Sequence, residues 1–259
     1  MRLHCAVNGP GHPSKADTMP AMAEQPDTNA ALWKSEEVVK AFVAQGRERQ
    51  RAEQLALVAR LLPFTPSDTF TFLDLGAGTG AASRAVLAEY PNATALLGDF
   101  SEQMMAAGHQ QMKEYDGRYR YVELDMHAPT WPDEIPARLD AVISALSIHH
   151  LPDERKRGIF RQIFERLAPG AWYINFDPIR APNADLETMW QRVNDRYDPE
   201  DPHRRTHRTP LEQARYENHV RYMIPLAPQL DWLREAGFLN VEVFWKRLDW
   251  VIYGGQRPA

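Results

Sequence analysis

Glycine falls at every second position in Gly76-Ala77-Gly78-Thr79-Gly80, directly after the apolar stretch Phe72-Leu73-Asp74-Leu75. The stretch before the glycines reads as a strand, and the small residues Ala81-Ala82-Ser83 after them open a helix. Glycine lacks a Cβ and accepts positive φ, so such a turn can bring main-chain N–H groups close to a ligand, with further donors at the helix start. The dinucleotide turn that exploits this geometry spaces its glycines Gly-x-Gly-x-x-Gly to receive a diphosphate. Here the third glycine follows the second by two residues, and Asp74 stands two residues before the first. A carboxylate at that point suits a ligand ammonium better than a phosphate.

The rest of the chain supplies a matching frame. Apolar strand-like runs at Thr69–Leu75, Ala93–Gly98, Tyr119–Leu124, Asp140–Ala145 and Trp172–Phe176 alternate with helical stretches at Gly80–Glu89, Ser101–Tyr115 and Asp153–Leu167. That alternation predicts an α/β fold with a doubly wound, mostly parallel sheet. Two helices separated near Gly46 are expected between Ala30 and Leu62, and Pro169-Gly170 is expected to turn the chain into the fifth strand. The stretch 178–225 is rich in charge, proline and aromatics, with helical pieces at Asp185–Tyr197 and Leu211–Tyr222, and reads as an inserted helical lid. A helix at Pro228–Ala236 and a hairpin of Val241–Trp245 and Trp250–Tyr253 close the chain. The expected organisation is a disordered tail over 1–29, N-terminal helices over 30–66, and a ligand-binding domain over 67–259.

Taken in order, these segments resemble class I S-adenosylmethionine (SAM) dependent methyltransferases of the small-molecule type. Asp74, Gly76, Ala77, Gly78 and Gly80 resemble the family's first motif, which implies a hold on the methionine end of SAM. Leu97-Gly98-Asp99-Phe100-Ser101 is similar to its second-strand segment, implying that Asp99 receives the ribose hydroxyls beside Phe100. Asp125 and Met126 resemble the adenine site. Asp140–Leu151, containing Ala145, His149 and His150, is similar to the fourth-strand motif, and Arg166–Ala171 resembles the family's Leu-x-Pro-Gly-Gly turn. Trp232–Phe238 followed by Val241 matches its late helix and strand. The resemblance covers about 55–177 and 226–255. It implies a Rossmann-like seven-stranded sheet with a C-terminal antiparallel hairpin, and SAM as cofactor.

Composition excludes other classes. A net charge of −5 and a pI near 6.0 give no global field for nucleic acid. No apolar run reaches the roughly 20 residues of a membrane helix. The single cysteine, Cys5, fits a reducing, cytoplasmic setting. A small-molecule acceptor is therefore the expected partner, and monomer and homodimer fit equally well.

Among single residues, His149 and His150 follow the fourth strand, where the methyl group would be presented, and are the candidate general bases; packing or capping is their structural alternative. Adjacent histidines without an acid at ligand spacing make a poor zinc site, and His203 and His207 sit among Arg204, Arg205 and Arg208, which repel a cation. No metal is expected. Trp33, Arg180, Tyr216 and Arg221 are the candidate acceptor contacts, the arginines for a carboxylate or phosphate. Two other functions use the same fold: an enzyme that modifies SAM or binds its carboxylated form, and a non-catalytic SAM-binding protein.

Overall fold

The computed structural model describes residues 28–44, 49–197 and 206–259. Seven strands form one sheet in the order β3-β2-β1-β4-β5-β7-β6. The strands are β1 Thr71–Leu75, β2 Thr94–Asp99, β3 Tyr119–Glu123, β4 Leu139–Ala145, β5 Leu167–Pro178, β6 Leu239–Arg247 and β7 Trp250–Gln256. The first five pair in parallel, while β7 runs antiparallel to both β5 and β6. This is the expected doubly wound sheet with its terminal hairpin.

Both faces of the sheet are covered, which is why its central strands are apolar at nearly every position. Period-two alternation divides them. Leu73, Leu75, Val142 and Tyr173 join α6 (Asp153–Arg166) and α9 (Leu226–Ala236) through Ile159, Phe160, Ile163, Trp232 and Leu233. Phe72, Ala141, Ile143 and Ile174 face α3 (Ala52–Arg60) and α4 (Ala81–Glu89) through Leu55, Val58, Val86 and Leu87. The strand order reverses between β1 and β4, so the C-terminal ends of these two strands open the crevice where ligands of such sheets bind.

Two expectations are corrected. Pro169-Gly170 does not end a turn ahead of β5 but lies inside the strand. Leu139 pairs with Leu167 while Ala141 pairs with Trp172, so three extra residues bulge out of β5. Gly170 takes φ 81° in the bulge and donates its N–H to the Arg257 carbonyl at 3.0 Å, so the C-terminal tail absorbs the irregularity. The Arg257 guanidinium also donates to the carbonyls of Phe164, Glu165 and Leu167 at the end of α6. Among the described residues three α-helices and not two lie before β1: α1 (Thr28–Trp33), α2 (Glu36–Ala44) and α3. Thr28 and Asn29 belong to α1 and not to the tail, and Gly46 and the rest of the tail fall outside the described residues.

Segment 178–225 carries α7 (Ala184–Tyr197) and α8 (Pro210–Val220), the latter started by a capping box between Thr209 and Glu212. Polar contacts tie these outer elements to one another and to segments packed on the sheet. Ser101 caps α5 (Glu102–Gln111) by accepting from Met104 N–H, and its hydroxyl donates to the Trp33 carbonyl at the end of α1 at 2.5 Å. Asn218 on α8 donates to the Asn29 side chain on α1 at 2.8 Å, both residues being buried. The ammonium of Lys156, on the buried face of α6, donates to the Tyr222 carbonyl just past α8. Ser101→Ala removes both the cap of α5 and the anchor of α1. It is expected to cost about 1–2 kcal/mol and to lower the thermal midpoint by about 3–6 °C in calorimetry.

Candidate active site

Each functional side chain in the crevice stands at the C-terminal end of a strand or in the turn that follows it. β1 delivers Asp74, β2 delivers Asp99, β4 leads through Leu146 and Ser147 to a 3₁₀ turn at Ile148–His150, and β5 delivers Asp177.

The glycine turn is held by acids from inside. Gly76 and Ala77 both donate their N–H groups to the Gly98 carbonyl, at 2.9 and 3.0 Å, and Gly80 donates to the Ala77 carbonyl at 2.8 Å. Gly78 N–H goes to Asp99 Oδ2 at 2.7 Å. At the start of α4, Ser83 donates both its N–H and its hydroxyl to Asp74 Oδ2, at 3.0 and 2.7 Å. The expectation that this loop offers main-chain donors to a ligand is therefore corrected: these amides are already engaged. A diphosphate would meet two buried carboxylates in place of a nest of N–H groups. A ligand carrying an ammonium and vicinal hydroxyls meets what it needs. Asp74 Oδ1 is buried and has no hydrogen-bond partner among the described residues. Asp99 Oδ1 accepts from Ser101 N–H at 2.9 Å, and the Phe100 N–H also bonds to this carboxylate. Burial pushes both carboxyls up, Asp74 to about 6 against the Ser83 hydrogen bonds that lower it.

The glycines are needed where they stand. Gly76, Gly78 and Gly80 all have positive φ, and a Cβ on Gly76 would lie 2.4 Å from the Ser147 Cβ. The turn thus closes onto the segment after β4. Ser147 and Ser144 donate to the Leu75 carbonyl, each at 2.9 Å, which locks that segment to β1.

Two cavities meet there. One, of about 120 Å³, is lined by Asp74, Gly76, Ala77, Gly78, Asp99 and Phe100, with Met126 and Ala145 also on its wall. The other, of about 520 Å³, is lined by Arg180, Trp190, Tyr216, His149 and His219 among others. Trp33, Phe42, Arg51, Leu146 and His150 line both. Together they exceed the roughly 300 Å³ at which small-molecule sites begin. Leu146 adopts φ 60°, a conformation that costs a branched side chain, at this shared wall.

The structure distributes the expected site residues unevenly. Gly76, Ala77, Gly78, Asp74, Asp99, Phe100, Met126 and Ala145 line the smaller cavity, and Trp33, Arg180, Tyr216, His149 and His150 line the larger. Gly80 does not line the smaller cavity; it faces Met112 and Leu97 instead. Asp125 does not line it either. It is exposed, accepts from His127 N–H at 2.8 Å, and leaves its neighbours Leu124 and Met126 to face the cavity. Arg221 is likewise exposed and outside the lining. Arg208 stacks on the Tyr216 ring at 3.6 Å.

Sequence reasoning missed Asp177 and His219. Asp177 Oδ1 lies 2.7 Å from His149 Nδ1, its Oδ2 accepts from His149 N–H at 3.0 Å, and His149 Nε2 lies 3.0 Å from His219 Nδ1. Asp177 ends β5 as Asp74 and Asp99 end or nearly end theirs, so the pattern of acids closing strands was there to be followed. His219 had no such signal, being 70 residues from its partner on another element. Burial, with the nearby charges of Lys156 and Arg51, pushes the His149 imidazole down to about 3, and burial pushes that of His150 well below its ordinary value.

Residues 72–170 match the family model of a methyltransferase domain. The cofactor of that family is SAM. No protein of curated function matches the chain in sequence. Among solved structures, an O-methyltransferase family protein from Burkholderia thailandensis is similar with a TM-score of 0.67 and 17% identity, over 90% of this chain and 63% of that one. PigF, solved with SAH, gives 0.62 and 18%, over 88% and 62%. Human N-acetylserotonin methyltransferase, solved with SAM, gives 0.61 and 16%, over 90% and 60%. The match thus spans a little under two thirds of the length of these relatives, and at such identities it speaks for the fold. The matched segment holds β1, β2 and β4 with their turns, hence the whole glycine-turn side of the crevice. Gly76→Ala there combines an αL penalty with a clash against the Ser147 Cβ and Oγ. It is expected to destabilise the fold by about 2–5 kcal/mol in urea denaturation.

Proposed function

We propose that this protein transfers a methyl group from SAM to a small-molecule acceptor. The observation that carries the proposal is the shared wall. The cavity beside the glycine turn and the larger cavity roofed by α1, α7 and α8 meet at Trp33, Leu146 and His150, so a donor held in one faces an acceptor held in the other. Methyl transfer from a sulfonium is an in-line displacement, in which the protein aligns the two partners and excludes water.

In this reading Asp74 Oδ1 takes the ammonium of the donor and Asp99 takes its ribose hydroxyls. Met126 and Leu124 pack on the adenine, with Asp125 at the rim. The acceptor lies among Trp33, Trp190 and Tyr216, with Arg180 able to receive a carboxylate or phosphate on it. Preparing the acceptor's nucleophile falls to His149 and His150. Both imidazoles are neutral at pH 7, and a neutral imidazole lends its lone pair to a proton or to a cation.

One observation favours a second reading, a carboxylated SAM as donor: Arg51 lines both cavities, where it would meet a carboxylate on the sulfonium substituent. Mass spectrometry of the nucleoside retained by the purified protein separates the two. A mass higher by one carboxyl group would replace the methyl-transfer reading.

Calorimetric titration with SAM tests the donor site. Asp99→Ala is expected to weaken SAM binding by about ten-fold or more, the loss of one or two charge-assisted hydrogen bonds; unchanged affinity would refute the ribose assignment. The affinity also depends on pH with a defined sign. The Asp74 carboxyl, raised to about 6, is mostly protonated below that value, and an ammonium ligand binds its ionised form. SAM should therefore bind about ten-fold more weakly at about pH 5 than at about pH 8, and Asp74→Asn should flatten that slope while lowering affinity throughout.

A further inference from the structure

Three histidines converge on the wall between the cavities from two places in the chain. One ring nitrogen from each of His149, His150 and His219 lies within 4.8 Å of the other two. The first two sit on the 3₁₀ turn after β4 and the third on the last turn of α8. His149 Nε2 and His219 Nδ1 are already 3.0 Å apart. Zinc binds imidazole nitrogen at about 2.0–2.1 Å, which sets neighbouring tetrahedral ligands about 3.3 Å apart. Small ring rotations cover the difference.

The surroundings of His149 are those of a metal ligand. Asp177 accepts from its Nδ1–H, so the lone pair is on Nε2, the atom aimed at His219. Asp177 is itself fixed, accepting also from His149 N–H and from the Asn175 amide at 3.3 Å. A carboxylate that orients a ligating histidine in this way sets its tautomer and strengthens it as a donor. Burial also holds down the protonated forms of His149 and His150, which leaves their lone pairs available. Lowered basicity of this kind weakens an imidazole as a proton acceptor at neutral pH. Lys156 and Arg51 oppose a dication, and the Asp177 carboxylate offsets part of that repulsion.

We propose that His149, His150 and His219 bind one divalent transition-metal ion, such as zinc or cobalt, with a coordination position open to the acceptor cavity. The site stands on the histidine geometry; its role rests on the methyl-transfer reading above. A hydroxyl or carboxylate of the acceptor fills the open position. A hydroxyl bound there releases its proton to water in the cavity and keeps its electron pair as the nucleophile.

The test uses the full chain, free of any histidine tag, dialysed against a chelator and titrated with cobalt(II) chloride. Visible d–d absorption of a low-coordinate cobalt centre is expected to saturate at one equivalent per chain and to be displaced by zinc. His219→Ala should weaken cobalt binding by about ten-fold or more, and its SAM affinity, read by calorimetry, reports that it is folded, since His219 does not line the cofactor cavity. If His219→Ala does not fold, His150→Asn serves in its place. His207→Ala, on an exposed residue, should leave cobalt binding intact. No saturable absorption, or absorption that survives loss of His219 and of His150, overturns the proposal. Saturable cobalt binding without any SAM binding keeps the metal site and removes methyl transfer; SAM binding without cobalt does the reverse.

Discussion

Two buried carboxylates hold the glycine turn by its own backbone, and the chemistry of the crevice follows from that. Asp99 takes the Gly78 amide and Asp74 takes the first turn of α4 through Ser83. In a diphosphate-binding turn the same amides and the same helix start face outward, as donors to an anion. Here they are spent internally, and the outward charge of the turn is negative. Both carboxyls are raised by burial, so they are costly to keep ionised without a ligand and gain most from one that brings a positive charge and hydroxyl donors.

The opposite side of the crevice is built differently. It comes from α1, which precedes the sheet, and from α7 and α8, which follow β5. Polar clasps hold these elements: Ser101 to Trp33 and Lys156 to Tyr222 tie them to segments packed on the sheet, and Asn218 to Asn29 ties them to one another. Buried polar contacts of this kind fix geometry at little net gain in stability, because each must first be desolvated. On the proposed reading, the donor side is therefore rigid sheet edge and the acceptor side is helices positioned by a small number of directional bonds.

The donor side was legible in the sequence because it is local. The glycine spacing and the Ser101 cap act within a few residues, the acids closing β1 and β2 reach partners 9 and 21 residues away inside one β-α-β unit, and the order of strands and helices determined the sheet. What escaped is what depends on distance in the chain. Asp177 and His219 reach His149 across 28 and 70 residues. The histidine pair looked like a poor metal site because its third member was invisible to spacing. Asp125 and Arg221 lie outside the cavity linings for a related reason: side-chain direction is decided by packing, and both turn to solvent. Pro169-Gly170 has the composition of a turn, yet the Arg257 tail supplies enough partners to keep it inside β5.

The clasp between Asn29 and Asn218 joins residues 189 positions apart, and neither belongs to the sheet. The two ends of the roof thus come from stretches that evolution can exchange without disturbing strand pairing or the glycine turn. On the proposed reading, new acceptor preferences in such a scaffold should arise by co-variation of these two distant helices, as a matched pair, while the glycine-turn side stays constant.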